Sequence, residues 1–240
     1  MIKRFSRLMV TTLIGIGPLS AAEKHAVRPP DGFVALFNGV DLAGWKGLVG
    51  NPETRGKMTA KELAAAQEKA NERMREHWRV IDGALEYDGR GKNTTLNLCT
   101  EKDYGDFELH LDWRILKGGD SGIYLRGSPQ VQIWDTAFEP YWKNGADKGS
   151  GAIWNNRKHP RFPLVHADKP AGEWNTFHIR MIGDRVTIRL NGKPVTDNVV
   201  MENFWDRKKP IYPRGPIELQ NHGNVIRFRN IFIREIHRKP

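Results

Sequence analysis

Apolar and polar residues alternate in several short segments of this chain, which predicts β-strands with one face in a core. In GGDSGIYLRGSPQVQIWD, Gly118 to Asp135, two such segments are joined by a Gly-Ser-Pro turn. Ile123, Leu125, Val131 and Ile133 share one side; Tyr124, Arg126, Gln130, Gln132 and Trp134 share the other. In FELHLDWRI, Phe107, Leu109, Leu111, Trp113 and Ile115 alternate with Glu108, His110, Asp112 and Arg114. In PIELQNHG, Ile217 and Leu219 alternate with Glu218, Gln220 and His222.

The polar side of this pattern carries chemistry. Wet sheet faces usually carry Lys, Glu and Thr, and a solvated face is the plain alternative here. Gln, His, Trp and Tyr instead suit a floor that holds a sugar, with flat rings for stacking and planar forks for hydroxyls. Shared parity predicts that Asp112, Arg114, Arg126, Gln132, Gln220 and His222 converge on one cleft.

The remaining segments repeat the theme. WRVIDGALEYDG reads as two strands around an Asp82-Gly83 turn, and WNTFHIRMIGDRVTIRLNGKPV as hairpins with a strong Asn191-Gly192 turn. Many short strands between Gly, Asn, Asp and Pro turns argue an all-β fold, a two-sheet sandwich or jelly roll. One stretch departs from it. Met58 to Trp78 is rich in Ala, Glu and Lys, and Thr59 stands three residues before Glu62. That is a capping box ahead of strong helix formers, so a helical insertion is expected over about 58–78.

The first 22 residues read as a secretory signal. Lys3, Arg4 and Arg7 precede the short apolar run Leu8 to Ile16, and Ala21-Ala22 resembles a cleavage region. The run is too short to span a bilayer, and no later stretch suits a membrane span. A single domain is expected over 23–240, in a periplasmic or secreted protein. Removing Lys3, Arg4 and Arg7 lowers the formal charge from +10 to +7. The remaining Lys and Arg are mixed with acids, which argues against nucleic acid as a partner. Cys99 is the only cysteine, so no internal disulfide exists, and its apolar run marks a buried structural thiol.

Taken in order, GFVALFNGVDLAGW, YGDFELHLDWRI, GGDSGIYLRG, PQVQIWD, GSGAIWN, PAGEWNTFHIR, LNGKPV and GPIELQNHGNVIRFRNI resemble the 3-keto-disaccharide hydrolase family. The resemblance covers nearly the whole chain after the signal, except the helical insertion. It implies a secreted concanavalin A-like, laminin-G-like jelly roll acting on glycosides oxidised at carbon three. Members often carry Glu where Gln130 stands. An amide cannot relay a proton, which argues against ordinary two-carboxylate hydrolysis at that strand.

A 3-keto sugar offers another route. The ketone acidifies the hydrogen on carbon two; a base removes it, an enolate forms, and the anomeric leaving group is expelled. The resemblance thus implies a carbohydrate substrate and a catalytic set drawn from Asp112, His222 and Arg114. Asp112 or His222 would be the base, Arg114 or Arg126 would steady the enolate, and Tyr124 or Asp120 would assist the leaving group. Gln130, Gln132, Trp134 and Gln220 complete the binding floor. Asp112 and Arg114 equally fit a structural ion pair, and His222 equally fits a turn. No cofactor is certain. A divalent metal at His110, Asp112 and His222 would serve an enolate well, and calcium would suit the Asp-rich loops. Two other readings stay open: a noncatalytic carbohydrate-binding module, and an envelope interaction protein.

Overall fold

A computed structural model describes residues 27–90 and 96–237. The signal expected at 1–22 lies outside the described residues. The strands form two antiparallel sheets. In chain order they are β1 (Val34–Ala35), β2 (Trp45–Gly47), β3 (Trp78–Ile81), β4 (Ala84–Asp88), β5 (Leu98–Thr100), β6 (Phe107–Ile115) and β7 (Asp120–Leu125). Next come β8 (Gln130–Trp134), β9 (Asn175–Ile182), β10 (Arg185–Leu190), β11 (Lys193–Val200), β12 (Ile217–Leu219) and β13 (Val225–Glu235). Sheet A has the order β11-β10-β9-β6-β13-β4-β3, with β1 added beside β13; sheet B has the order β2-β5-β12-β7-β8.

Alternation decides what lies between them. Phe107, Leu109, Leu111, Ile179 and Ile188 of sheet A meet Ile123, Leu125, Val131, Ile133 and Leu219 of sheet B in one core, all ten buried as their spacing predicts. The fold is therefore the all-β two-sheet sandwich expected from the sequence. Its hairpins close where the turn chemistry predicts. Asp82-Gly83 and Asn191-Gly192 both take positive φ at each residue, the geometry of a tight two-residue turn.

The helical insertion has two parts. The short helix α1 (Pro52–Arg55) is capped by Asn51 and buries none of its residues. The longer helix α2 (Ala60–His77) begins at the capping box Thr59-Glu62 and packs on the edge strand β2. A Cβ at Gly47 would lie 2.2 Å from the Ala70 carbonyl oxygen, so only glycine lets helix and strand approach this closely. Gln67 Nε2 donates to the Gly47 carbonyl at 2.7 Å, and Gly47 N–H donates to Asn71 Oδ1 at 3.0 Å. These bonds satisfy part of the edge β2 would otherwise present. The segment leading into α2 then crosses the outer face of sheet B.

Candidate functional site

The sandwich has two outer faces, and the polar residues divide between them. On β6, Glu108, His110, Asp112 and Arg114 point away from the core on sheet A. On β7, β8 and β12, Asp120, Tyr124, Gln130, Gln132, Trp134 and Glu218 point away from the core on sheet B. Asp112 and Arg114 thus stand on the opposite side of the molecule from Gln132, Gln220 and His222. The expected convergence of all six on one cleft does not occur. Parity relates a residue to the core, and two sheets sharing one core send the same parity to opposite surfaces.

Each displaced residue has a structural occupation. Asp112 accepts from Thr176 Oγ1 at 2.7 Å, Asn230 Nδ2 at 2.8 Å and Arg229 Nε at 3.2 Å. Arg114 lies over the Trp174 ring at 4.8 Å, with Arg229 at 4.0 Å from the same ring. His110 lies against His178 with the rings tilted and their centroids 4.1 Å apart, and burial beside that second ring holds its pKa below the usual range. The metal set of His110, Asp112 and His222 is split between the two faces. Among the described residues, no three acidic, histidine or cysteine side chains are grouped as metal ligands.

Arg126 is a further correction. β7 ends at Leu125, and Arg126 turns out of the strand with φ +55°. Its buried guanidinium donates to the carbonyls of Gly105 and Gly183, each at 2.8 Å, and to Asp106 Oδ1 at 2.7 Å. It ties the β7–β8 turn to neighbouring loops.

What sheet B assembles is a layered site. Register places Tyr124 between Gln130 and Glu218, and Asp120 opposite Trp134. Gly122 stands opposite Gln132, and a Cβ there would lie 2.2 Å from Gln130 Nε2. Its missing side chain makes room for a buried amide network. Gln130 Nε2 donates to Gln220 Oε1 at 2.7 Å and to Gln132 Oε1 at 3.0 Å; Gln132 Nε2 donates to Asp120 Oδ1 at 2.7 Å. Gln130 and Gln132 are therefore a floor beneath the site. Trp134 is buried with them, edge-on to Trp154 at 5.1 Å. Gln220 has its oxygen occupied by Gln130, and its Nε2 remains to donate outward.

Above this floor lies a cavity of about 340 Å³, walled by Tyr124, Glu218, Gln220, Asn97, Trp205 and the Leu48–Asn51 segment. Glu218, which the sequence reading left outside its candidate set, is the group most shaped by it. Its side chain is buried, Oε1 has no hydrogen-bond partner, and the nearest cation is Arg55 Nη2 of α1 at 3.9 Å. Burial pushes its pKa up to about 7, the Arg55 charge opposing only part of that rise. Tyr124, beside it in register, is held above the usual phenol range by burial and by the Glu218 and Asp120 charges, so it keeps its proton at neutral pH. At the start of β7, outside that lining, burial raises Asp120, opposed by His222, whose half-exposed ring has Nδ1 3.7 Å from Asp120 Oδ2. Cys99 lies alongside Glu218 on β5, its thiol buried and its pKa pushed up to about 12, as an inert structural cysteine requires.

With this geometry in hand, residues 32–234 match the family described as the 3-keto-alpha-glucoside-1,2-lyase-like domain. The chain belongs to that family. It is 25% identical to a 3-keto-disaccharide hydrolase of Bacteroides thetaiotaomicron over 90% of this chain and 83% of the relative. Two crystal structures of candidate glycosyl hydrolases from Parabacteroides distasonis share the fold. One has a TM-score of 0.62 at 22% identity, covering 86% of this chain and 95% of the other. The second has a TM-score of 0.55 at 29% identity, covering 67% and 91%.

Family membership sharpens an expectation for the residue that left the site. Asp112→Asn should keep turnover within about twofold and lower stability by about 1–3 kcal/mol, the cost of weakening a hydrogen-bonded carboxylate. Initial rates and urea unfolding on one preparation check both. A collapse in rate at unchanged stability would return Asp112 to the chemistry.

Proposed function

We propose that this protein is a secreted enzyme that cleaves 3-keto-glycosides, working at the outer face of sheet B with Glu218 as its base. The observation that carries this reading is a buried carboxyl with an unpartnered oxygen at a sugar-sized cavity and a pKa of about 7. A base tuned near the working pH combines adequate ionisation with adequate strength.

The reaction follows from the residues around it. The ionised Glu218 takes the proton from carbon two of the oxidised sugar, and the electron pair moves onto the carbon-three oxygen as an enolate. Arg55, the cation nearest Glu218, and the outward Nε2 of Gln220 are the donors that steady that oxygen. The enolate collapses to a carbon one–carbon two double bond, and the anomeric C–O bond breaks with its electrons on the leaving oxygen. Tyr124 delivers the proton that oxygen needs. Water then adds to carbon one and gives its proton to the Tyr124 phenolate, while Glu218, its proton exchanged with solvent, protonates carbon two; this completes net hydrolysis, and product release before that step makes the same chemistry a lyase. The Asp120–His222 pair lies outside the lining of that cavity, on the same face of sheet B, and offers polar groups for hydroxyls that extend beyond it. Family membership and the 3-keto-disaccharide hydrolase relative support the substrate class.

Turnover in heavy water tests the base. The hydrolysis product should carry deuterium at carbon two, and activity should rise with pH through about 7 as Glu218 ionises. A product free of deuterium, formed at an undiminished rate at pH 5, would overturn the assignment.

A further inference from the structure

A second cavity, of about 480 Å³, lies on the same outer face on the far side of the Leu48–Arg55 segment. Leu48 and Glu218's partner Arg55 wall it, so the two cavities meet across that segment. Its lining differs in charge from the first. Lys46, Arg55, Arg126 and Arg214 line it with one carboxylate, Asp103; Arg55, Arg126 and Arg214 also meet Glu218, Asp106 and Glu235, while Leu48 and Leu63 supply an apolar surface.

The cation placement is specific. Register carries one transverse row from Lys46 through Cys99 to Glu218. The Lys46 backbone therefore stands two strands from that of Glu218, about 10 Å away at ordinary strand spacing. Among the described residues Lys46 forms no ion pair, whereas Lys102 and Lys209 each meet a carboxylate. Arg214 Nη2 donates to the Asp103 carbonyl at 2.7 Å and lies 3.7 Å from Glu235 Oε2, which fixes its guanidinium at the rim.

We propose that this cavity is a subsite for an acidic leaving group, a sugar carrying a carboxylate such as a hexuronate. The inference rests on the reading of Glu218 as the centre of cleavage. Lys46 and Arg214 would bind the carboxylate, and the leucines would take the apolar face of the ring. Charge at this distance from the reacting bond selects among substrates and leaves the bond-breaking steps unchanged.

Calorimetric titration of the full chain with glucosyl-glucuronate and with glucosyl-glucose tests it without any need for turnover. The acidic disaccharide should bind at least about tenfold more tightly, the worth of one well-placed charge contact. The preference should shrink as salt rises. Lys46→Met, and separately Arg214→Gln, should remove most of the preference while binding of the neutral disaccharide, the control for folding, stays the same. Equal affinity for the two sugars, or a preference that survives both substitutions, would overturn the subsite. A Lys46-dependent preference without cleavage of either compound's 3-keto form keeps the subsite and rejects the cleavage reading.

Discussion

Glu218→Gln is expected to lower turnover of a 3-keto-glycoside by roughly a hundredfold to ten-thousandfold, the usual range for a lost general base. Glutamine keeps the shape and can donate or accept a hydrogen bond, but it cannot take the carbon-two proton. Substrate affinity should change far less, because proton abstraction is felt only in the transition state. The same substitution has a signature in stability. The folded carboxyl titrates near 7 and its ordinary value is 4.5, so between those values the folded protein holds a proton the unfolded chain has released. The stability from that proton is complete below pH 4.5 and is lost as pH rises to about 7, some 3 kcal/mol in all. Glu218→Gln should flatten that part of the stability–pH curve. A variant that kept both full activity and the wild-type curve would show that Glu218 is neither the base nor a perturbed acid.

The second large effect concerns stability. Arg126→Met should cost about 3–5 kcal/mol, because it takes the cation from the buried Asp106 carboxylate, which keeps the Gly183 N–H, and removes the donor to the carbonyls of Gly105 and Gly183. Against a total of about 5–15 kcal/mol for a domain, that brings the protein near its unfolding threshold. Urea unfolding followed by tryptophan fluorescence measures it. Wild-type stability combined with weakened sugar binding would contradict the structural assignment and restore Arg126 to the site.

The sequence made the core legible because alternation is a local rule. Every position from Phe107 to Ile115 repeats in and out, and the structure keeps that phase along the whole strand. The site was legible in part. Tyr124, Gln130, Gln132, Trp134, Gln220 and Asp120 do gather on one face, carried there by parity and by their places on adjacent strands. Asp112 and Arg114 went astray for a physical reason: alternation separates inside from outside and says nothing about which of two sheets a strand joins. Arg126 followed strand parity on paper, but its backbone had already turned. Glu218 had the right parity in IEL beside Gln220. What singles it out is burial beside a cavity, and the other walls of that cavity, Gly50, Asn51 and Trp205, lie far away in the chain. Likewise α1 leaves little trace in an apolar pattern because it buries none of its own residues, yet it carries the cation nearest Glu218.

The central claim is that cleavage requires a ketone at carbon three and proceeds at the outer face of sheet B. The most direct measurement is incubation of the wild type and Glu218→Gln with a matched pair, a disaccharide and its 3-keto form, following release of the leaving sugar. Rapid release from the 3-keto form by the wild type alone, with the plain disaccharide intact, is the predicted result. Equal cleavage of both disaccharides, or undiminished cleavage by Glu218→Gln, would contradict it.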